Sequence, residues 1–200
     1  MDAKQTAFVA MMSALGLLLS AISLNAAPLL TTVGQSGAAL DLSHIATFIA
    51  AIFGGPYIGA MVGFLSGIYA GYYFGYVMGS LGVLSLIGVP FGKALTGLTA
   101  GFLYKKLNSN QRSSLTIPIT LMSYIPECIY TISYFLYIVP YVYPAMSFMT
   151  LMISIVIPKA WIEITVMSIL MGALAGNVGF KEFIMKFFYT PKLEKVYSKQ

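Results

Sequence analysis

The chain has 200 residues, 58% of them hydrophobic and only 8% charged, with a formal net charge of +5. Soluble domains carry about 25% charged residues, so this composition sets aside a soluble enzyme or nucleic-acid-binding protein and calls for a polytopic membrane protein. The single cysteine, Cys128, excludes an internal disulfide and leaves no thiolate set for a metal.

A bilayer span needs an apolar run of about 20 residues. In chain order the sequence predicts six: 6–26, 43–55, 57–77, 83–104, 116–138 and 147–176. The second is short and the last is long enough to tilt. A cleaved signal peptide is a poor account of the first, because its apolar core is too long and no small-x-small site follows. Gly54-Gly55-Pro56 marks a turn between the second and third spans. From that turn Gly55, Gly59, Gly63, Gly67, Gly71, Gly75 and Gly79 follow at intervals of four. In a bilayer such a row lets another helix approach closely. It also drifts by about 40° per step around a helix. One straight neighbour is therefore not expected to cover it: the third helix serves two neighbours or breaks near Gly71 to Gly75. The predicted fold class is an all-α integral membrane protein, a six-helix transmembrane bundle. Residues 1–178 form one transmembrane domain and 179–200 a basic tail. In that tail Phe180, Phe183, Ile184, Phe187 and Phe188 share one helical face with lysines between them, the pattern of a helix lying in the inner membrane interface. A solvated tail is the plainer reading.

Basic residues set the orientation. Lys4 precedes the first span, Lys105, Lys106 and Arg112 lie between the fourth and fifth, and Lys181, Lys186, Lys192, Lys195 and Lys199 follow the sixth. With six spans these places share one side, and the positive-inside rule makes it the cytoplasm, with both termini inside. The opposite connections, 27–42, 78–82 and 139–146, contain no Lys or Arg.

Five ionisable residues fall within predicted spans: His44, Lys93, Glu127, Lys159 and Glu163, with Asp41 at the outer mouth of the second helix. A charge at mid-bilayer costs from about 2.5 kcal/mol upward, so each needs a partner, water or a ligand. Lys159 and Glu163 are four apart on one face and can pair. Lys93 and Glu127 sit at similar depth in different helices. Either they pair with each other, or they line a solute cavity, Lys93 taking a carboxylate and Glu127 a hydroxyl, amide or amine. Pro90, Pro126 and Pro158 fall near these charges, and helix interruptions in solute carriers free backbone groups for binding.

Glu127, Tyr130, Tyr134, Tyr137 and Tyr141 follow at spacings of 3, 4, 3 and 4, one helical stripe with a carboxylate at its base. Such a stripe suits an aromatic-walled pocket, while tyrosines near a boundary also form a membrane-interface belt. The expected pocket lies between the outer halves of helices 4 to 6. Loop 27–42, uncharged until Asp41, reads equally as a lid over it or a plain connector. Asp41 and His44 would brace that loop, or His44 would be a satisfied packing histidine. Enzyme motifs fail: Gly63-Phe64-Leu65-Ser66-Gly67 has no second histidine to serve it, and no Walker-type loop is present. The sequence thus offers no catalytic residues, no cofactor and no metal site.

The segment Asp41-Leu-Ser-His44, followed by Gly54-Gly-Pro56-Tyr-Ile-Gly59-Ala-Met-Val-Gly63-Phe-Leu-Ser-Gly67, resembles the helix 2–turn–helix 3 signature of the substrate-binding S component of energy-coupling factor (ECF) transporters, the vitamin importers of prokaryotes. Ala10-Met-Met-Ser-Ala14 is similar to the Ala-x-x-x-Ala motif with which that family docks on its coupling subunit; ordinary small-residue packing explains the same pair. The resemblance implies high-affinity capture of a vitamin-like solute at the cell membrane. ATP-driven uptake then follows with a coupling subunit and two ATPases, in which the S component topples and releases the solute inside. An autonomous proton-coupled carrier using Glu127 is the alternative from another class.

Overall fold

The structure is a computed structural model that describes residues 1–30, 41–79, 81–107, 112–144 and 149–188. Every element among them is helical: α1 (Ala3–Leu30), α2 (His44–Gly54), α3 (Pro56–Tyr72), α4 (Val83–Leu107), α5 (Ser113–Ser123), α6 (Ile125–Ser133), α7 (Val139–Val142), α8 (Met149–Gly176) and α9 (Val178–Met185). Two π-helical segments, Tyr73–Val77 and Tyr134–Ile138, continue α3 and join α6 to α7. Four stretches are long and apolar enough to cross a membrane: Ala3–Ala26, Val83–Leu107, Ser113–Val142 and Val156–Gly176. Most of the expected loop 27–42 lies outside the described residues.

The α2–α3 corner is set by Gly55, whose φ of +86° favours a residue without Cβ, and by Pro56, which starts α3 with its φ already helical. α2 has 11 residues, roughly 16 Å at 1.5 Å per residue, half the hydrocarbon thickness. It is shorter than a full span.

The glycine row of α3 packs along α4, which runs antiparallel to it. A methyl placed on Gly59 would stand 2.6 Å from the Gly97 carbonyl oxygen, on Gly67 2.7 Å from the Pro90 Cα, and on Gly71 2.7 Å from the Ser85 carbonyl oxygen. At Gly63 it would meet the Lys93 carbonyl, and at Gly75 that of Gly82. α4, with Gly82 just before it, thus faces five rungs, and the row also has the second neighbour and the change of winding near Gly71 to Gly75 that were expected. Along the row the facing residue recedes by three to five places for each four on the glycine side. The π-helical segment from Tyr73 falls where a break was anticipated. α2 covers the flank, with Thr47 against Gly63 and Ala51 against Gly59. α1 closes the other side, where Gly16 meets Ser66 and Ala46.

The end of the chain packs on the bundle. Asn177 caps α9 by accepting from the Phe180 N–H at 2.9 Å. Phe180 meets Phe53 at a centroid distance of 5.9 Å, while Phe187 and Phe188 meet the fully buried Phe8 at 5.4 and 4.9 Å. Most of the apolar face expected to lie on the membrane thus lies against α1 and α2, with Ile184 buried beneath it, while Phe183 stays exposed.

Candidate functional site

Non-helical backbone at membrane depth is tolerated only where protein or a cavity encloses it. Residues 41–43 meet that condition. Asp41 and Ser43 are buried, and the Asp41 Oδ1 accepts from the Ser43 N–H at 3.0 Å just before α2 begins. The Asp41 N–H donates to Glu163 Oε1 at 2.8 Å, and the Leu42 N–H donates to Ser23 Oγ at 3.4 Å. This short segment is stitched to α8 on one side and α1 on the other.

Lys93 reaches the same segment from α4, making an ion pair with the Asp41 carboxylate and donating to the Ser43 hydroxyl. Its side chain is 3% exposed. Lys93 is the eleventh of the 25 residues of α4, Glu163 the fifteenth of the 28 of α8, and Glu127 the fifteenth of the 30 in Ser113–Val142. All three stand near the middle of their spans. Asp41, which leads into α2, is bound to two of them. Lys159 pairs with Glu163 at 3.3 Å, one turn away, as its spacing predicts.

Glu127 does not pair with Lys93. Its Oε2 is 3.2 Å from His44 Nε2 and accepts from the Thr96 hydroxyl. The two groups expected to be partners or co-readers of a solute have separate partners, both supplied at the start of α2. Ser43 and Thr96 were not singled out in the sequence. The signal for Thr96 is the row Gly88, Gly92, Thr96 along α4, small at every fourth place, which admits α6. A methyl on Gly92 would meet the Glu127 Cγ at 3.3 Å, and one on Gly88 the Tyr134 ring at 2.8 Å.

The tyrosine stripe divides. Tyr130 and Tyr134 stack obliquely at 5.5 Å, Tyr130 lies 6.1 Å from Phe91, and the Tyr134 hydroxyl donates to the Leu84 carbonyl at 2.8 Å. Tyr137 and Tyr141 are 73% and 88% exposed, away from the cluster. The spacing 3, 4, 3, 4 makes one stripe only at 3.6 residues per turn. The π-helical segment Tyr134–Ile138 has wider turns and rotates the row off that face. Upstream, Pro126 opens α6 without an N–H to continue α5, and Thr99 of α4 donates to the Ser123 carbonyl at that junction, at 2.8 Å. This fixes the break that aims Glu127 at His44. Tyr124 at the junction meets Trp161 edge-on at 5.4 Å and lies 6.4 Å from His44.

Chemically, the cluster joins three carboxylates, two ammonium groups and one imidazole inside a membrane bundle, with rings of Phe48, Tyr124 and Trp161 on one side and Tyr130 on the other. A family model described as the substrate-specific component of ECF transporters matches residues 4–175. The chain belongs to this family. No curated protein and no solved structure matches it significantly. As an ECF S component it is a multi-pass membrane protein and the substrate-binding subunit of a transporter, a family that works with an ECF module. Ala10 and Ala14 are both exposed on α1, beside the exposed Ala7 and Met11, so the surface there is low and uncovered.

Proposed function

We propose that this S component captures a vitamin-like small molecule at high affinity and delivers it through ATP-driven uptake with a coupling subunit and two ATPase subunits in a prokaryotic plasma membrane. In this reading the bundle crosses six times, the short α2 forming part of the second crossing and α3 the third, and both termini are cytoplasmic. Residues 1–178 bind the solute and 179–200 form the basic cytoplasmic end. The observation that carries it is the cluster of the buried Asp41, His44, Lys93, Glu127 and Glu163 with the half-buried Lys159, within the helix bundle of a chain of this family. Intramembrane ionisable residues are retained where they serve a pathway or a ligand.

Glu127, Tyr130 and Tyr134 form the wall toward α4, and Asp41 and His44 tie the segment that leads from the outer loop. Lys93 and Lys159 already have carboxylates, so the solute need not be an acid. Ala10 and Ala14 offer the docking face for the coupling subunit, since close helix approach requires small residues. The test is co-purification with the coupling subunit and both ATPases, followed by reconstitution with ATP inside the vesicles. ATP-dependent depletion of one metabolite from an external extract is expected. Depletion that instead follows an imposed proton gradient, without ATPases, would favour the autonomous carrier.

A further inference from the structure

The two lysines of the cluster are not equivalent. An ammonium has three N–H donors and no acceptor. Lys93 is 3% exposed and directs its donors to the Asp41 carboxylate and the Ser43 hydroxyl. Lys159 meets one acceptor among the described residues, Glu163 Oε1 at 3.3 Å, and its side chain is 18% exposed. Charge-assisted N–H···O bonds close to about 2.7–2.9 Å, so this contact is long. The same oxygen already accepts from the Asp41 N–H at 2.8 Å. Lys159 therefore has two N–H donors unused among the described residues and a third weakly engaged. It is the eleventh of the 28 residues of α8, and an ammonium inside a span is costly without acceptors.

A second observation is the ring beside it. Phe74, on the π-helical continuation of α3, has its centroid 6.0 Å from Lys159 Nζ. It is half-buried, with the Tyr73 ring perpendicular to it at 5.7 Å. An aromatic face next to unused N–H donors suits a flat guest, which stacks on the ring and offers an in-plane acceptor to the ammonium. The charge of the guest follows from the cluster. Three carboxylates there face two ammonium groups. An anion would add to the excess of negative groups, whereas an uncharged carbonyl gives Lys159 an acceptor and adds none.

We propose, on the reading that the chain captures a small molecule, that Lys159 and Phe74 determine which one: a flat, uncharged ring system that presents a carbonyl oxygen to the Lys159 ammonium. Lys93, whose donors are occupied, does not touch the solute. Glu163 is a positioning residue. It accepts from the Asp41 N–H and from Lys159 together, and so holds the ammonium of α8 beside the segment that leads into α2.

The full chain in lipid nanodiscs is incubated with a cell metabolite extract and washed, and the bound molecule is identified by mass spectrometry, with thermal unfolding midpoints recorded alongside. Wild type should yield a flat, uncharged ring compound with a carbonyl. Lys159→Met combined with Glu163→Gln removes the ammonium and its counter-charge together, while the amide oxygen still accepts from the Asp41 N–H. The amount of compound bound should fall about tenfold in this double variant. Glu163→Gln alone keeps the ammonium and should keep the compound. Phe74→Leu should also lower the amount bound, and it serves as the test should the double variant not fold. A folded double variant that keeps the compound overturns the assignment, as does Phe74→Leu binding at the wild-type level, or a bound compound that is a carboxylate or a phosphate; solute capture survives each of these. An equal loss in Glu163→Gln and the double variant also overturns it, because the pair is then structural. A wild-type chain that yields only lipid overturns capture and this assignment together.

Discussion

Lys93 of α4 holds the carboxylate of Asp41, the residue that leads into α2, and both are buried near the centre of the bundle. The pair anchors a stretch of non-helical backbone where no water would otherwise satisfy it. Removing one partner of a buried pair leaves an uncompensated charge, at a cost of about 3–5 kcal/mol. Lys93→Met should therefore lower the thermal unfolding midpoint sharply, and Asp41→Asn in the same chain should restore much of it. A double variant as unstable as the sum of the two singles would mean that the residues do not act as a pair.

The α3–α4 contact makes a contrast between two glycines. Gly63→Ala places a methyl against the Lys93 backbone carbonyl, which cannot move without shifting α4. Gly79→Ala meets nothing within 4 Å but carries a φ of +65°, worth about 1–2 kcal/mol of strain. Unfolding in nanodiscs should show the larger loss for Gly63→Ala. The reverse order would contradict the packing of the row on α4.

How much of this was legible in the sequence follows from which signals are local. Apolar runs and Gly54-Gly-Pro56 located the helices and the corner, and Lys159–Glu163 followed from a four-residue spacing on one helix. Partners on different helices depend on rotation and depth, which no spacing encodes. Hence the sequence leaves Lys93 and Glu127 as partners or as separate readers of a solute, whereas the structure gives Lys93 to Asp41 and Glu127 to His44. The stripe failed at Tyr137 because a π-helical turn changes the period, and nothing in Tyr134-Phe-Leu-Tyr-Ile138 announces one.

The tail makes its own prediction. Phe8 is fully enclosed by contacts that include Phe187 and Phe188. Phe8→Ala should cost about 3–5 kcal/mol and expose α9 to limited proteolysis. Proteolysis of α9 at the wild-type rate would show that the helix does not depend on this contact.

Ala10 and Ala14 separate fold from partnership. Both are exposed, so Ala10→Trp and Ala14→Trp should leave the unfolding midpoint of the isolated chain nearly unchanged. Co-purification with the coupling subunit should be lost, because the indole holds the helices apart. Retained complex formation in both variants removes this face from docking.

The central claim is that the buried cluster serves a captured small molecule. Native mass spectrometry of the full chain, released from nanodiscs after incubation with a cell metabolite extract, tests it most directly. One non-lipid organic molecule per chain is expected, of about the size that pockets of 300–1,000 Å³ enclose, and it should be lost in Glu127→Ala with Tyr130→Ala. A wild-type chain that carries only lipid, or a bound molecule that both substitutions leave in place, would contradict it.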